Sequence, residues 1–239
     1  MTISISRKMS KKVAILQSNY IPWKGYFDII REVDEFIFFD DVQYTRRDWR
    51  NRNRIKTQHG PAWLTVPVIS KNNFNQKINE TIIDGEVWKR KHWRSLELCY
   101  KKSEFYPEVS DILWSVYHTE SIDMLSKLNI RLIKLICRYI GIMTNFSNSS
   151  DFSLSEDKND RLINLCLHTN SSIYISGPSA RQYIDVDRFK DNQIELQWVE
   201  YGDYPEYPQR WGDFEHNVSI LDLLFNCGKD SGQFIGYLN

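Results

Sequence analysis

The chain has 239 residues, of which 41% are hydrophobic, enough to bury a sizeable core in one large domain or two small ones. Lysine plus arginine and aspartate plus glutamate both total 31, so the overall charge gives no reason to expect non-specific binding to nucleic acid or acidic membranes. No apolar run approaches about 18 residues and the basic N-terminus contains no signal-peptide core, which predicts a cytoplasmic protein without a membrane span.

The cysteines and histidines do not form a metal-binding pattern. No two cysteines are close enough for a CxxC pair, and each lies in an apolar run: Cys99, Cys137, Cys166 and Cys227. The five histidines share no ligand spacing. We therefore predict buried packing cysteines, no disulfide framework and no metal site.

The first predicted elements form a βαβ unit. Residues 13–16 predict a buried strand, a helix starts near Tyr26 and runs to about Val33, and residues 35–39 predict a second strand. Such a short unit favours a parallel sheet with a right-handed crossover. Because ligands bind beyond the carboxyl ends of parallel strands, residues 17–19 and 40–43 should face one crevice.

The later pattern continues the α/β alternation. Further strands are predicted at residues 63–68, 172–176 and 195–198. Helices are predicted at residues 86–103, 108–140 (ended by Gly141), 158–168, 180–183 and 218–225. Residues 44–59, 147–155 and 201–211 are interpreted as polar loops. The predicted fold is a mainly parallel sheet with flanking helices in a single α/β domain over residues 1–239, with core segments 12–85 and 146–239 and a helical insertion at 86–145.

The turn after the first strand is the strongest candidate for a binding site. A glycine beside a helix N-terminus allows close approach of an anion to free N–H groups, and a lysine adds a point charge. The alternative is a polar turn whose aromatic side chains anchor the core. The candidate residues are Gln17, Asn19, Tyr20, Trp23, Lys24, Gly25 and Tyr26.

A second candidate follows the second strand. Asp40 and Asp41 could orient a metal-bound phosphate or accept a proton from an amine. Six of the eleven residues in 46–56 are basic, which suits a phosphate-contacting loop as well as a solvated charge run. The candidate binding residues are Gln43, Arg46, Arg50 and Asn53.

A third candidate is the turn that follows the strand at 172–176. Ser176, Gly177, Ser179 and Arg181 could offer hydroxyls, backbone N–H groups and a guanidinium to phosphate, although a simple capped turn explains the same residues. In a parallel sheet, these residues should lie across one pocket from Lys24 and Asp41.

Five long stretches, in order over residues 13–228, resemble the WbqC-like family, which is found among bacterial genes for O-antigen and other surface polysaccharides. They read AILQSNYIPWKGYFDII, FIFFDDVQYTRRDWRNRNRIK, WLTVPV, YISGPSARQYID and SILDLLFNCG. The resemblance implies transfer of glycine to the amino group of an amino-deoxy sugar during glycan assembly. We assign the phosphate clamp to Lys24, Arg46, Arg50 and Arg181, and the base or metal-orienting role to Asp40 or Asp41.

A weaker resemblance concerns nucleotidylyltransferases and pantothenate synthetases. Trp23-Lys24-Gly25-Tyr26 stands where those enzymes have His-x-Gly-His, and residues 176–181 resemble their late Ser-Gly-x-Ser-x-Arg turn. The resemblance implies a nucleotidylyltransferase-like sheet, whereas the loss of both histidines removes donors that such enzymes use on phosphate.

The predicted function is an aminoacyl or acyl transferase acting on a nucleotide-linked amino sugar. ATP with Mg²⁺, or an aminoacyl donor such as aminoacyl-tRNA, is left open, as is the oligomeric state. The rivals are a nucleotide-sugar enzyme of another type, either a nucleotidylyltransferase or a glycosyltransferase, and a non-catalytic sugar- or nucleotide-binding subunit.

Overall fold

A computed structural model describes residues 10–71, 73 and 75–236. Its strands are β1 (Lys12–Leu16), β2 (Glu35–Phe38), β3 (Arg52–Thr57), β4 (Gly60–Thr65), β5 (Asn145–Asn148), β6 (Ile173–Ser176) and β7 (Glu195–Trp198). Its α-helices are α1 (Lys24–Arg31), α2 (Val87–Tyr100), α3 (Tyr106–His118), α4 (Leu125–Tyr139), α5 (Lys158–His168), α6 (Val186–Asp191) and α7 (Ile220–Cys227). Short 3₁₀ turns occur at Ile78–Glu80, Ser149–Asp151, Pro178–Gln182 and Gly228–Phe234.

Five strands form one parallel sheet in the order β5-β2-β1-β6-β7. The chain winds outward from β1 through β2 to β5, returns across the sheet through α5, and continues outward on the other side through β6 to β7. The winding direction therefore reverses between β1 and β6. A reversal of this kind opens a crevice at the carboxyl edge of a doubly wound sheet, and the predicted mainly parallel α/β fold is confirmed.

Helices cover both faces of the sheet because successive side chains of β1 point to opposite sides. Ala14 packs in a large cluster with α1, α4 and α7, whereas Val13 and Ile15 pack in a second cluster with α5 and α6. The helices between residues 86 and 145 belong to the first cluster, where Leu132 and Ile136 pack with the aromatic residues of β2. They share the core of the sheet rather than forming a separate one.

The basic segment before residue 60 folds differently from its prediction as a loop. β3 and β4 form an antiparallel hairpin, and the strand predicted at residues 63–68 begins and ends earlier. The alternation in β3 places Asn53 and Ile55 inside, while the guanidinium groups of Arg52 and Arg54 lie 4.2 and 5.7 Å from the Trp63 ring centroid. Cation–π contacts with Trp63 therefore stabilise the arginines of β3, a strand whose polar composition predicts a loop.

Three further elements also differ from the prediction. The connector predicted at residues 147–155 overlaps β5, an edge strand. Its sequence, Asn-Phe-Ser-Asn, is too polar to predict a strand. The helix predicted at residues 108–140 is two helices, α3 and α4, separated where Met124 pairs with Ile82. α6 was not predicted, and the late turn is a 3₁₀ helix.

The four cysteines are buried and free. Within residues 10–71, 73 and 75–236, no helix is long and apolar enough to cross a membrane. No group of three or more His, Cys, Asp and Glu side chains suited to a metal ion occurs in the same part of the chain.

A buried histidine connects α2 to the segment between β1 and α1. His92 Nδ1 lies 2.8 Å from the hydroxyl of Tyr20, which also lies 2.6 Å from the hydroxyl of Tyr117. Burial lowers the pKa of His92 to about 4, although a hydrogen bond to the carbonyl of Thr65 opposes the shift. His92 is therefore neutral in the folded protein at neutral pH.

We expect this histidine to make stability depend on pH. Between its unfolded pKa of about 6.5 and its folded pKa of about 4, the unfolded state binds more protons, so the free energy of unfolding falls as the pH falls through this window. The contribution of His92 is about 1.4 kcal/mol per pH unit. Urea unfolding at several pH values should show this slope reduced in His92→Gln and retained in His168→Gln, which alters an exposed histidine. Equal slopes in wild type and His92→Gln would contradict the assignment.

Candidate active site

A crevice of about 530 Å³ opens at the carboxyl edge of the sheet, where the winding direction reverses. The segments after β1, β2 and β6 line it together with α5 and the chain before residue 78. Its polar lining residues are Gln17, Asp41, Gln43, Asn75, Lys77, Lys158, Arg161, Ser176, Ser179 and Tyr183. Ligands of doubly wound sheets bind at this position, so the crevice is the leading candidate site.

The crevice carries three cations and one carboxylate. Arg161 donates a hydrogen bond to the Asp41 carboxylate, which also accepts one from the hydroxyl of Ser149. Lys77 and Lys158 are exposed, and neither ammonium group has a carboxylate within salt-bridge distance in the described part of the chain. The excess positive charge favours an anion such as a phosphate.

One wall of the crevice is apolar. Leu16, Phe39 and Leu162 line it together with the rings of Tyr174 and Tyr183. The Tyr183 side chain is 54% exposed, so one of its faces is accessible to a ligand. An apolar wall beside cationic groups suits a molecule that combines a flat ring with phosphate, such as a nucleotide.

The predicted residues of the three turns are only partly brought together. Gln17, Asp41, Gln43, Ser176, Gly177 and Ser179 line the crevice, as the parallel sheet predicts. Lys24, Arg46, Arg50 and Arg181 do not belong to its lining. The four predicted cations therefore do not line one crevice in the structure, and the cations that do line it are Arg161, Lys77 and Lys158.

Each cation of the predicted clamp has a partner in the fold. Arg46 donates to the carbonyl of Ser70. Arg50 donates to the amide oxygens of Gln17 and Asn19. The guanidinium of Arg181 lies 3.3 Å from Glu200 and 5.4 Å from the ring centroid of Trp198, on the exposed surface.

The β1–α1 turn, residues 17–23, is held by buried side chains. Asn53 Nδ2 donates to the carbonyls of Tyr20 and Ile21 at 3.3 and 2.9 Å, and Ile21 has a positive φ of 37°. The backbone N–H of Ser18 donates to Asp40 Oδ1 at 2.7 Å. Asn53 and Asp40 thus satisfy backbone groups that a turn beyond the end of a strand leaves unpaired.

Asp40 lies under this turn and is not part of the crevice lining. Its second carboxylate oxygen accepts a hydrogen bond from the hydroxyl of Ser126, and burial raises the pKa of the group. Asp41 is the neighbouring carboxylate that faces the crevice. The two acidic residues that the sequence offered as alternatives therefore occupy different environments.

The aromatic residues of the turn mainly serve the core. Tyr20 and Tyr26 are buried, and the hydroxyl of Tyr26 donates to the carbonyl of Gln17 at 2.9 Å. Both rings are enclosed, which leaves no open face for a ligand. A Cβ atom on Gly25 would lie 2.3 Å from the ring of Trp23, so glycine is needed for this ring to pack.

Lys24 is buried among aromatic rings. Its ammonium lies 5.0, 5.2 and 5.6 Å from the ring centroids of Tyr204, Tyr207 and Phe214, and donates to the carbonyl of Pro205 at 3.2 Å. Burial lowers the pKa of Lys24 to about 8. These contacts fasten the loop of residues 201–216 to α1.

The sequence reasoning missed Lys77, Lys158 and Arg161. A helix that follows a strand of a parallel sheet begins at the carboxyl edge, so the first turn of α5 is expected beside the crevice. The sequence prediction lacked β5, so it contained no strand directly before α5. Recognising the polar edge strand would have placed both α5 cations at the site.

The sheet order and the cationic crevice define a doubly wound α/β protein with a site suited to a phosphate-bearing small molecule. Residues 17–234 match the WbqC-like protein family, and the chain belongs to this family. It is 52% identical over 227 residues to the uncharacterized protein Rv1507c of Mycobacterium tuberculosis, covering 95% of this chain and 98% of that protein. No solved structure matches the chain.

We expect Lys24→Ala to destabilise the protein without weakening ligand binding in the crevice. Truncation removes a buried stem, its cation–π contacts and a hydrogen bond, at a cost of about 2 kcal/mol or more in the free energy of unfolding. Thermal unfolding and calorimetric titration with a nucleoside diphosphate measure the two effects. A matched change on the surface, Lys127→Ala, should leave both unchanged. Weaker binding with unaltered stability in Lys24→Ala would contradict this expectation and support a ligand-binding role for Lys24.

Proposed function

We propose that the protein is a transferase that binds a nucleotide-linked amino sugar at the carboxyl-edge crevice and forms an amide between a glycyl group and the sugar amine. The pathway in this proposal is bacterial O-antigen or surface glycan biosynthesis, as the family resemblance implies. The observation that carries the proposal is the position of Lys77, Lys158 and Arg161 in a crevice at the reversal point of the sheet.

The lining residues support separate roles for the two walls. Lys77 and Lys158 would neutralise the diphosphate, because their ammonium groups have no carboxylate partners in the described residues and can reorient toward oxygen. The rings of Phe39 and Tyr183 would contact the base. Gln17 and Ser179 would supply hydrogen bonds that orient the ligand.

Amide formation needs a base and a group that stabilises the oxyanion. As the amine attacks the activated carboxyl, a carbon–nitrogen bond forms, the bond to the leaving group breaks, and the amine loses a proton. We assign proton acceptance to Asp41, the carboxylate of the crevice, and oxyanion stabilisation to the neighbouring Arg161.

The glycyl donor in this proposal is either glycine with ATP or glycyl-tRNA. Glycine activated by ATP as an adenylate would release pyrophosphate first and AMP when the amine attacks, and glycyl-tRNA would release tRNA.

Binding tests the anion assignment directly. We expect Lys158→Gln to weaken UDP binding about 10- to 100-fold, the effect of losing a charge-assisted hydrogen bond of about 1.5–3 kcal/mol. Calorimetric titration at low and high salt should show a smaller salt dependence in this variant than in wild type. Lys127→Gln, which removes an exposed charge on α4, should bind UDP normally. Equal loss in both variants would indicate only a general effect of net charge.

Activity tests the reaction. We expect wild-type protein, supplied with a nucleotide-linked amino sugar and either glycine plus ATP or glycyl-tRNA, to increase the sugar's mass by one glycyl residue. Asp41→Asn should lower kcat by about 10²-fold or more, because removal of a general base has effects of that size. Asp111→Asn, an exposed change on α3, should be active.

Other outcomes of this assay identify the rivals. Release of pyrophosphate in a mixture without glycine would indicate nucleotidyl transfer, and release of a free nucleoside diphosphate would indicate glycosyl transfer. Tight UDP binding with no turnover in any mixture would indicate a binding subunit.

A further inference from the structure

A second, smaller recess lies beside the β1–α1 turn. Its volume is about 200 Å³. The lining residues are Asn19, Pro22, Trp23, Trp49, Asn53 and Asn217. It shares no lining residue with the cationic crevice, and none of its six lining side chains is charged.

The chemistry of the recess matches a sugar ring. Trp49 is 44% exposed, so part of its indole is available to a ligand. The C–H groups on one face of a pyranose can pack against the negative face of an indole, while its hydroxyls need both donors and acceptors. Asparagine amides supply both. Neither Asn19 Nδ2 nor the side-chain amide of Asn217 has a hydrogen-bond partner among the described residues, whereas the backbone N–H of Asn217 donates to Glu215.

The aromatic walls are held in place before any ligand arrives. Tyr201 and Tyr204 contact the Trp23 ring edge-on, with centroids 5.1 and 5.7 Å away. The carbonyl of Trp49 accepts a hydrogen bond from the N–H of Tyr20 at 3.1 Å. The ring centroids of Trp49 and Trp63 are 5.4 Å apart. A rigid platform loses little conformational entropy on binding.

Arg50 places the recess next to the crevice. One nitrogen of its guanidinium lies 3.1 Å from the Gln17 amide oxygen, and the other donates to the Asn19 amide oxygen. Gln17 lines the crevice and Asn19 lines the recess. Both sites therefore include a residue held by the same planar group.

We infer that the recess is a subsite that binds a pyranose ring, next to the crevice that receives the nucleotide. Its role as an acceptor subsite rests on the proposed function. Binding of the sugar ring itself does not, because it needs no phosphate and no acyl donor.

Saturation-transfer NMR with methyl glucoside and methyl glucosaminide, which carry no phosphate, tests the inference. Wild-type protein should transfer saturation to the ring protons of at least one glycoside at millimolar concentration, an affinity range typical of a single weak contact surface. Trp49→Ala should weaken this binding at least tenfold, and Asn217→Ala should weaken it measurably. Trp114→Ala, which truncates a similarly exposed tryptophan on α3, should bind the glycoside normally.

UDP titration of the same variants separates this inference from the proposed function. Normal UDP binding by Trp49→Ala shows that the variant is folded and that only the recess has changed. The inference is overturned if neither glycoside binds to wild type, if binding survives Trp49→Ala and Asn217→Ala, or if uridine displaces the glycoside. Failure of UDP binding with intact glycoside binding would instead overturn the nucleotide site alone.

Discussion

The pairing of backbone groups in the β1–α1 turn is the constraint on which both candidate sites depend. The turn follows the central strand and is buried, so its N–H and C=O groups need partners from elsewhere in the chain. Asp40 arrives from the end of β2 and Asn53 from β3. Arg50 then holds the amides of Gln17 and Asn19. Asp40, Arg50 and Asn53 thus position this turn. The cationic crevice lies on one side of it and the neutral recess on the other.

A second set of buried polar groups holds the C-terminal loop. Tyr204 donates to Asp28 on α1 at 2.7 Å, and Tyr207 donates to Asp222 on α7 at 2.8 Å. Lys24 lies among the same rings. Burial raises the pKa of Asp222, while hydrogen bonds from two tyrosines and a glutamine oppose the shift. This network accounts for the unusual density of tyrosine in the loop, and through Tyr201 and Tyr204 it also supports the Trp23 wall of the recess.

The distinction between structural cations and candidate binding cations follows from their partners. Lys24 and Arg50 are charged residues within a sequence that looks like a binding turn, yet both use their donors to hold the protein together. Lys77 and Lys158 are unremarkable in sequence, but they line the crevice without a carboxylate partner in the described part of the chain. Exposed ammonium groups retain their attraction for a phosphate, whereas Lys24 and Arg50 are already engaged within the fold; Arg161 is paired with Asp41, and both face the crevice.

Local patterns were sufficient to predict the βαβ start, α5, β7 and the parallel α/β class, because buried strands and amphipathic helices carry their periodicity in the sequence. The sequence also determined family membership and three polar turns, each of which contributes residues to one crevice. Tertiary structure alone decided that β3 is a strand, that β5 completes the sheet, and that Arg161 pairs with Asp41. The physical reason is that edge strands and arginine-covered hairpins obtain their stability from contacts between different parts of the chain. The same contacts decide whether a cation is engaged within the fold or exposed beside a crevice.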